Sequence, residues 1–165
     1  GQAITTNGSG VLSFADAGGG KVLQVVSTFV TSTSSSTTSD TPVYWLNQAI
    51  TPSASSSKIL VLGMLTVSMD STNTRCGGVI KRESTIIRNS GASQQDFFTG
   101  TYMKQGGNDS TGPTLPFMYL DSPSTTSSIT YYLGTEQSGQ TTYFNRTDGG
   151  DTKHCSTLTL LEIGA

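Results

Sequence analysis

Apolar and polar residues alternate in short runs along this chain, each run closed by Ser, Thr, Gly or Pro, and that period of two predicts strands. The runs are KVLQVVSTFV (21–30), PVYWLNQAIT (42–51), KILVLGMLTVSMD (58–70), TRCGGVIKRE (74–83) and TIIRN (85–89). They continue with QDFFTGTYMK (95–104), TLPFMYLD (114–121), SITYYLGTEQ (128–137), QTTYFNR (140–146) and HCSTLTLLEI (154–163). Two depart from simple alternation. Ile59 to Leu65 is nearly continuous apolar residues, and in 154–163 Leu158 and Leu160 share one side while Leu161 and Ile163 share the other. Strands with two apolar faces need cover on both. In a sandwich the opposing sheet covers one, and another subunit is the economical cover for the second. The fold expected is therefore all-β: an antiparallel β-sandwich or jelly-roll-like knob of about ten strands.

Residues 1–19 read differently. Ile4, Val11–Leu12 and Phe14 are isolated apolar pulses between Gly and polar residues, which cannot close a core alone. We therefore expect a stalk segment over 1–19, packed with its counterparts in neighbouring chains, and a terminal domain over 20–165. The start at Gly1-Gln2, without methionine, is read as that of a fragment or processed product.

Composition sharpens this picture. Ser and Thr make up roughly three residues in ten, far above globular usage, and suit strands and turns respectively for Thr and Ser. Charged residues are only 12% and the net charge is −2, with no Lys/Arg cluster, which argues against nucleic acid as a partner. No apolar run reaches the length of a membrane-spanning helix, so no membrane insertion is expected. Cys76 and Cys155, far apart and only two, are read as free thiols.

Catalytic constellations are absent from the sequence pattern. The lone His154 has no Gly-x-Ser-x-Gly elbow to serve, and the acids stand mostly in turns, so no enzyme activity, catalytic residue or cofactor is expected. The loop RTDGGD (146–151) has two aspartates about a glycine pair but lacks the ligand spacing of a calcium site, and no metal is expected. Adjacent aromatic pairs such as Tyr131-Tyr132 and Tyr143-Phe144 place one ring on each face of a strand, one for the core and one for an interface or ligand.

Five stretches, at the start, the middle and the end of the chain, resemble the C-terminal region of phage tail-fibre and related virion proteins of aquatic bacteriophages. GQAITTNGSGVLSF (1–14) is similar to the end of their stalk. GKVLQVV (20–26) with AITPSASSSKILVL (49–62) is similar to the opening strands of the terminal domain. YLDSPSTTSSITYYL (119–133) and STLTLLEIGA (156–165) are similar to its central hairpin and its end. The resemblance implies a homotrimeric knob on a virion, joined to other virion proteins through its stalk and binding a host cell-surface glycan or outer-membrane protein. A purely structural part, decorating a capsid or joining fibre to baseplate, is the alternative. If every strand reverses direction, the loops 31–41, 71–73, 90–94, 122–127 and 147–153 lie at the tip, and 52–57, 105–113 and 138–139 face the stalk. The receptor-facing residues on that count are Gln94, Asp96, Phe97, Asn145, Arg146 and Asp148.

Overall fold

The computed structural model describes residues 2–6, 8–16, 21–37, 41–69, 74–88, 99–103, 114–137, 141–147 and 152–164. Among them every regular element is a strand. A hairpin of β1 (Gln2–Thr6) and β2 (Leu12–Asp16) forms its own two-stranded sheet, and the strands of the domain follow. These are β3 (Val22–Val30), β4 (Ser34–Ser36), β5 (Val43–Ile50), β6 (Lys58–Met69), β7 (Thr74–Arg82) and β8 (Thr85–Arg88). The rest are β9 (Thr99–Met103), β10 (Thr114–Asp121), β11 (Ile129–Gln137), β12 (Thr142–Phe144) and β13 (Ser156–Ile163).

Pairing is antiparallel throughout and builds two layers. In the first, β10 lies on one flank of β6; β13 and the short β12 share the other flank, with β3 and β4 beyond them. In the second the order is β5, β11, β7, and then β8 and β9 end to end along one edge of β7. If β8 with β9 and β12 with β13 are each taken as one interrupted strand, the chain pairs outermost with outermost. That means β3 with β13, β5 with β11, β6 with β10, and β7 with β8 and β9. This nested wrap is the jelly-roll order, and it confirms the all-β sandwich expected from the sequence.

The two interruptions change which end each loop occupies. Strand β9 pairs with the same edge of β7 as β8 and runs in the same direction, so it does not reverse the chain. Taking as the base the end where β3 begins, the link 122–128 therefore lies at the base, not at the tip. The ends of β9 and β10 that residues 104–113 join, and those of β11 and β12 that 138–141 join, lie at the tip, not at the base. The turn 51–57 is at the base as expected.

The core lies between the layers. Alternate residues of β6 (Ile59, Val61, Leu65, Val67) meet Leu133 of β11 and Leu46 of β5, with Leu158 and Leu160 from β13, all buried. Trp45 stacks on Phe144 at 5.3 Å between ring centres and donates its indole N–H to Thr135 Oγ1. Glycines make room where the packing is closest. At Gly63 a Cβ would stand 2.1 Å from Leu133 Cδ1. At Gly134, where the β11–β5 register shifts, it would stand 2.3 Å from the Val43 carbonyl oxygen. Backbone cannot swing aside as a side chain can. Gly134→Ala is expected to cost about 1–3 kcal/mol, read as a lower urea midpoint with an unchanged slope.

Three buried polar clusters tie the elements together. At the base, Asp121 Oδ2 accepts from Arg82 Nη1 and from the Tyr131 hydroxyl, both at 2.6 Å, joining the end of β10 to β7 and β11 in the other layer. Also toward the base, Glu162 Oε1 accepts from the backbone N–H and hydroxyl of Ser53, and Oε2 accepts from the Gln24 amide. Near the tip, Asn145 donates to the carbonyls of Val30 and Ser32 and accepts from Ser156 Oγ, which itself accepts from the Thr66 N–H. Cys76 and Cys155 are both free thiols, and burial pushes Cys76 up to about 12, which keeps it protonated and inert.

Candidate functional site

Of the six residues placed at the receptor end from the sequence, Gln94, Asp96, Phe97 and Asp148 lie outside the described residues. Asn145 is fully buried, at 0% exposure, and its amide is committed to the strand junction described above, so it is a scaffold group rather than a contact residue. Its φ of 54° explains the need for Asn there, since a left-handed backbone suits Asn better than most side chains. Arg146 is half-buried, with its guanidinium carbon 4.2 Å above the Tyr143 ring. These two residues stand at the foot of a small excursion whose sides are joined by the Arg146–Lys153 bridge and by Thr147 N–H donating to the Thr152 carbonyl.

The surfaces with the most distinctive chemistry are instead the two outer sheet faces. On the first layer three cross-strand rows face outward. They read Val25–Leu161–Leu60–Leu120, then Ser27–Thr159–Leu62–Met118, then Phe29–Thr157–Met64–Pro116. The first row is apolar across all four strands and none of the twelve positions is charged. Met118 is 73% exposed, Phe29 63%, Val25 57% and Leu120 49%, so the apolar surface is open to solvent. The hydroxyls of Ser27 and Thr159 satisfy each other at 2.9 Å, leaving little on this face that needs water. The N-terminal hairpin is likewise apolar and exposed at Ile4, Val11 and Leu12.

The second layer's outer face is aromatic and cationic. Asn47, Tyr132, Lys81 and Ile86 form one cross-strand row, and Tyr44, Gly134 and Val79 form the next. Gly134 has no side chain, and the Tyr44 ring lies against it: a Cβ there would come within 2.8 Å of Tyr44 Cδ1. Tyr44 thus reaches across β11 toward β7, meeting Tyr132 edge to face with ring centres 5.9 Å apart. The Lys81 ammonium sits over both rings, 4.1 Å from the centre of Tyr44 and 4.2 Å from that of Tyr132. Burial, and then the nearby Glu136 carboxylate, raise the Tyr44 phenol, so it remains a hydrogen-bond donor at any ordinary pH. The sequence pattern had marked Tyr131-Tyr132 as one core and one outward ring; Tyr131 is fully buried and Tyr132 half-exposed. It had not marked Lys81, whose neighbour two strands away, Tyr44, becomes a neighbour only through the sheet order.

No family model and no curated protein matches this chain. Among solved structures it is similar to the infectious bursal disease virus Gt strain structure, at 16% identity and a TM-score of 0.41, covering 99% of this chain and 42% of that one. It is also similar to the infectious bursal disease virus VP2 subviral particle, at 13% identity and a TM-score of 0.40, over 96% and 36% of the respective chains. The T13 particle of the same virus gives 12% identity and 0.41. The chain spans less than half the length of each, and a likeness this distant assigns no function.

Proposed function

We propose that this chain is a self-associating β-domain of a virion, a homotrimeric tail-fibre tip or similar appendage that attaches to a host cell surface. The observation that carries the reading is the uncharged apolar face of β3, β13, β6 and β10. A soluble monomer rarely leaves a continuous apolar row across a whole sheet open to water. Because the face bears no charge, a second copy meets it without repulsion, and closed symmetry lets identical faces bury one another. The exposed apolar hairpin of β1 and β2 supports the same reading, since a lone two-stranded sheet is marginal in water and gains from packing between chains. The stretches resembling phage tail-fibre C-termini supply the virion context.

The test is assembly first and attachment second. Leu161→Asp puts a charge in the centre of the apolar row and is expected to shift the protein from trimer to monomer in light scattering at micromolar concentration, with far-UV spectra unchanged. A wild-type chain that is monomeric there would end the proposal. Whole-cell adsorption by the assembled wild type then decides between the attachment role and a purely structural virion part, which would assemble without adsorbing.

A further inference from the structure

We propose that the outer face of the second layer is a carbohydrate subsite for an acidic sugar, a hexuronate residue of a surface polysaccharide, centred on Lys81, Tyr44 and Tyr132. The assignment of ligand class rests on the attachment reading above; the site itself rests on geometry. Among the described residues Lys81 has no carboxylate within ion-pair distance. Its ammonium is held by the faces of two rings, which position the charge without neutralising it. Such a charge has unused hydrogen-bond donors and retains its attraction for an anion. Two rings at a wide interplanar angle of 65° leave ring edges and hydroxyls beside it, surfaces suited to the C–H faces and hydroxyls of a pyranose. Asn47, exposed in the same cross-strand row, adds an amide that both donates and accepts.

The arrangement is also pre-organised. Its parts come from three adjacent strands, β5, β11 and β7, rather than from loops. Gly134 gives Tyr44 the space to lie across β11, and the cation holds both rings in register. Higher on the same face Val79 and Glu136 are buried, at 1% and 7% exposure, so the open part is a bounded patch rather than a whole sheet. A carboxylate on the sugar pairs with Lys81, and its ring lies against Tyr132. A neutral hexose keeps only the second contact. Each site is expected to be weak, with a dissociation constant on the order of 1 mM for one sugar residue, and repetition on an oligomer multiplies it.

The intact chain is titrated with methyl glucuronide, methyl glucoside and inorganic phosphate by saturation-transfer NMR and calorimetry. The expected result is saturation transfer to the glucuronide and binding at least about tenfold tighter than to the glucoside, consistent with one charge-assisted contact. Lys81→Met is expected to abolish that preference and Tyr132→Leu to weaken both sugars, while Lys81→Arg, which keeps charge and ring stacking, retains it. Thermal melts establish that each variant is folded, and Lys81→Arg keeps the question open to a decision should Lys81→Met fail to fold. Equal binding of the two sugars, unchanged glucuronide binding by Lys81→Met, or phosphate binding as tightly as glucuronide would each overturn the proposal. Adsorption to cells separates the two readings. Lys81-dependent glucuronide binding without adsorption leaves the subsite standing and removes the attachment role. Adsorption without glucuronide binding does the reverse.

Discussion

Asp121→Ala is expected to lower stability by about 2–4 kcal/mol, since it removes the acceptor of a buried phenol and the counter-charge of a guanidinium that keeps some solvent, and to drop the melting temperature by roughly 5–15 °C. One oxygen of this carboxylate carries two donors from the opposite layer, Arg82 Nη1 and the Tyr131 hydroxyl. Asp121 is 6% exposed and Tyr131 0%, so water cannot readily replace what is lost. Without the carboxylate, the phenol is left buried with no acceptor and the guanidinium loses its counter-charge, and an unmet buried group costs more than a made hydrogen bond contributes. Burial, and then Asp121, raise the Tyr131 phenol, so it is a donor and never a competing anion. Tyr131→Phe is the informative contrast. It removes one donor while Asp121 keeps its ion pair, and is expected to cost only about 1 kcal/mol. If denaturant melts give equal small losses for both variants, the carboxylate is rehydrated in the mutant and the two layers are held by packing alone.

Glu162→Gln is expected to destabilise the domain by about 2–3 kcal/mol at neutral pH, as two or more charge-assisted hydrogen bonds are weakened, and to do so less and less as the pH falls. Burial pushes the Glu162 carboxyl up. Donation from the Ser53 hydroxyl, the Gln24 amide and the Ser53 N–H outweighs that and holds it down at about 2. Its folded value is thus below the ordinary 4.5, so the ionised group stabilises the fold fully above that value. The contribution declines as the pH drops from about 4.5 toward 2, where the folded carboxyl itself takes up a proton. Paired denaturant melts of wild type and Glu162→Gln from pH 7 to pH 2 should therefore converge. A gap that stays constant with pH would mean that the amide's shape or donors, not the lost charge, cause the damage.

The sandwich was legible because its strands carry the signal in local alternation. Leu158 and Leu160 facing in, with Leu161 and Ile163 facing out, is a statement about period alone, and the structure has those faces as read. Direction was not legible, for a definite physical reason. Besides 22–30 with 34–36, two strand positions of the wrap are each filled by two segments, 85–88 with 99–103 and 142–144 with 156–163, and local pattern cannot tell these interrupted strands from separate ones. Strict alternation of direction takes each as a reversal. The first false reversal puts 122–128 at the wrong end, and the second cancels it, so the last strand still descends to the base. The site suffered from the same limit. Asn145 stands at the end of the run 140–146 and counts among the receptor-facing residues in the sequence, yet its neighbours in space are Val30, Ser32 and Ser156. Lys81 has no aromatic beside it in sequence, and its two rings arrive from other strands.

The strand that runs beside β6 has a further consequence for how such a domain can diversify. Phe144 pairs with Val67 and Thr157 with Met64, so the partner strand advances three residues while this one advances thirteen. The surplus of ten is the segment 146–155, flanked by Asn145, whose N–H donates to the Thr66 carbonyl, and Ser156, whose hydroxyl receives the Thr66 N–H. The segment is a cassette clipped into an otherwise continuous ladder, and the amide–hydroxyl pair is its clip. Whatever length or composition such a cassette takes, β6 still meets the same partners above and below it. Changes confined to the part between the Arg146 and Cys155 carbonyls, which accept from Ser68 and Thr66 of β6, therefore leave the register of the wrap beneath in place.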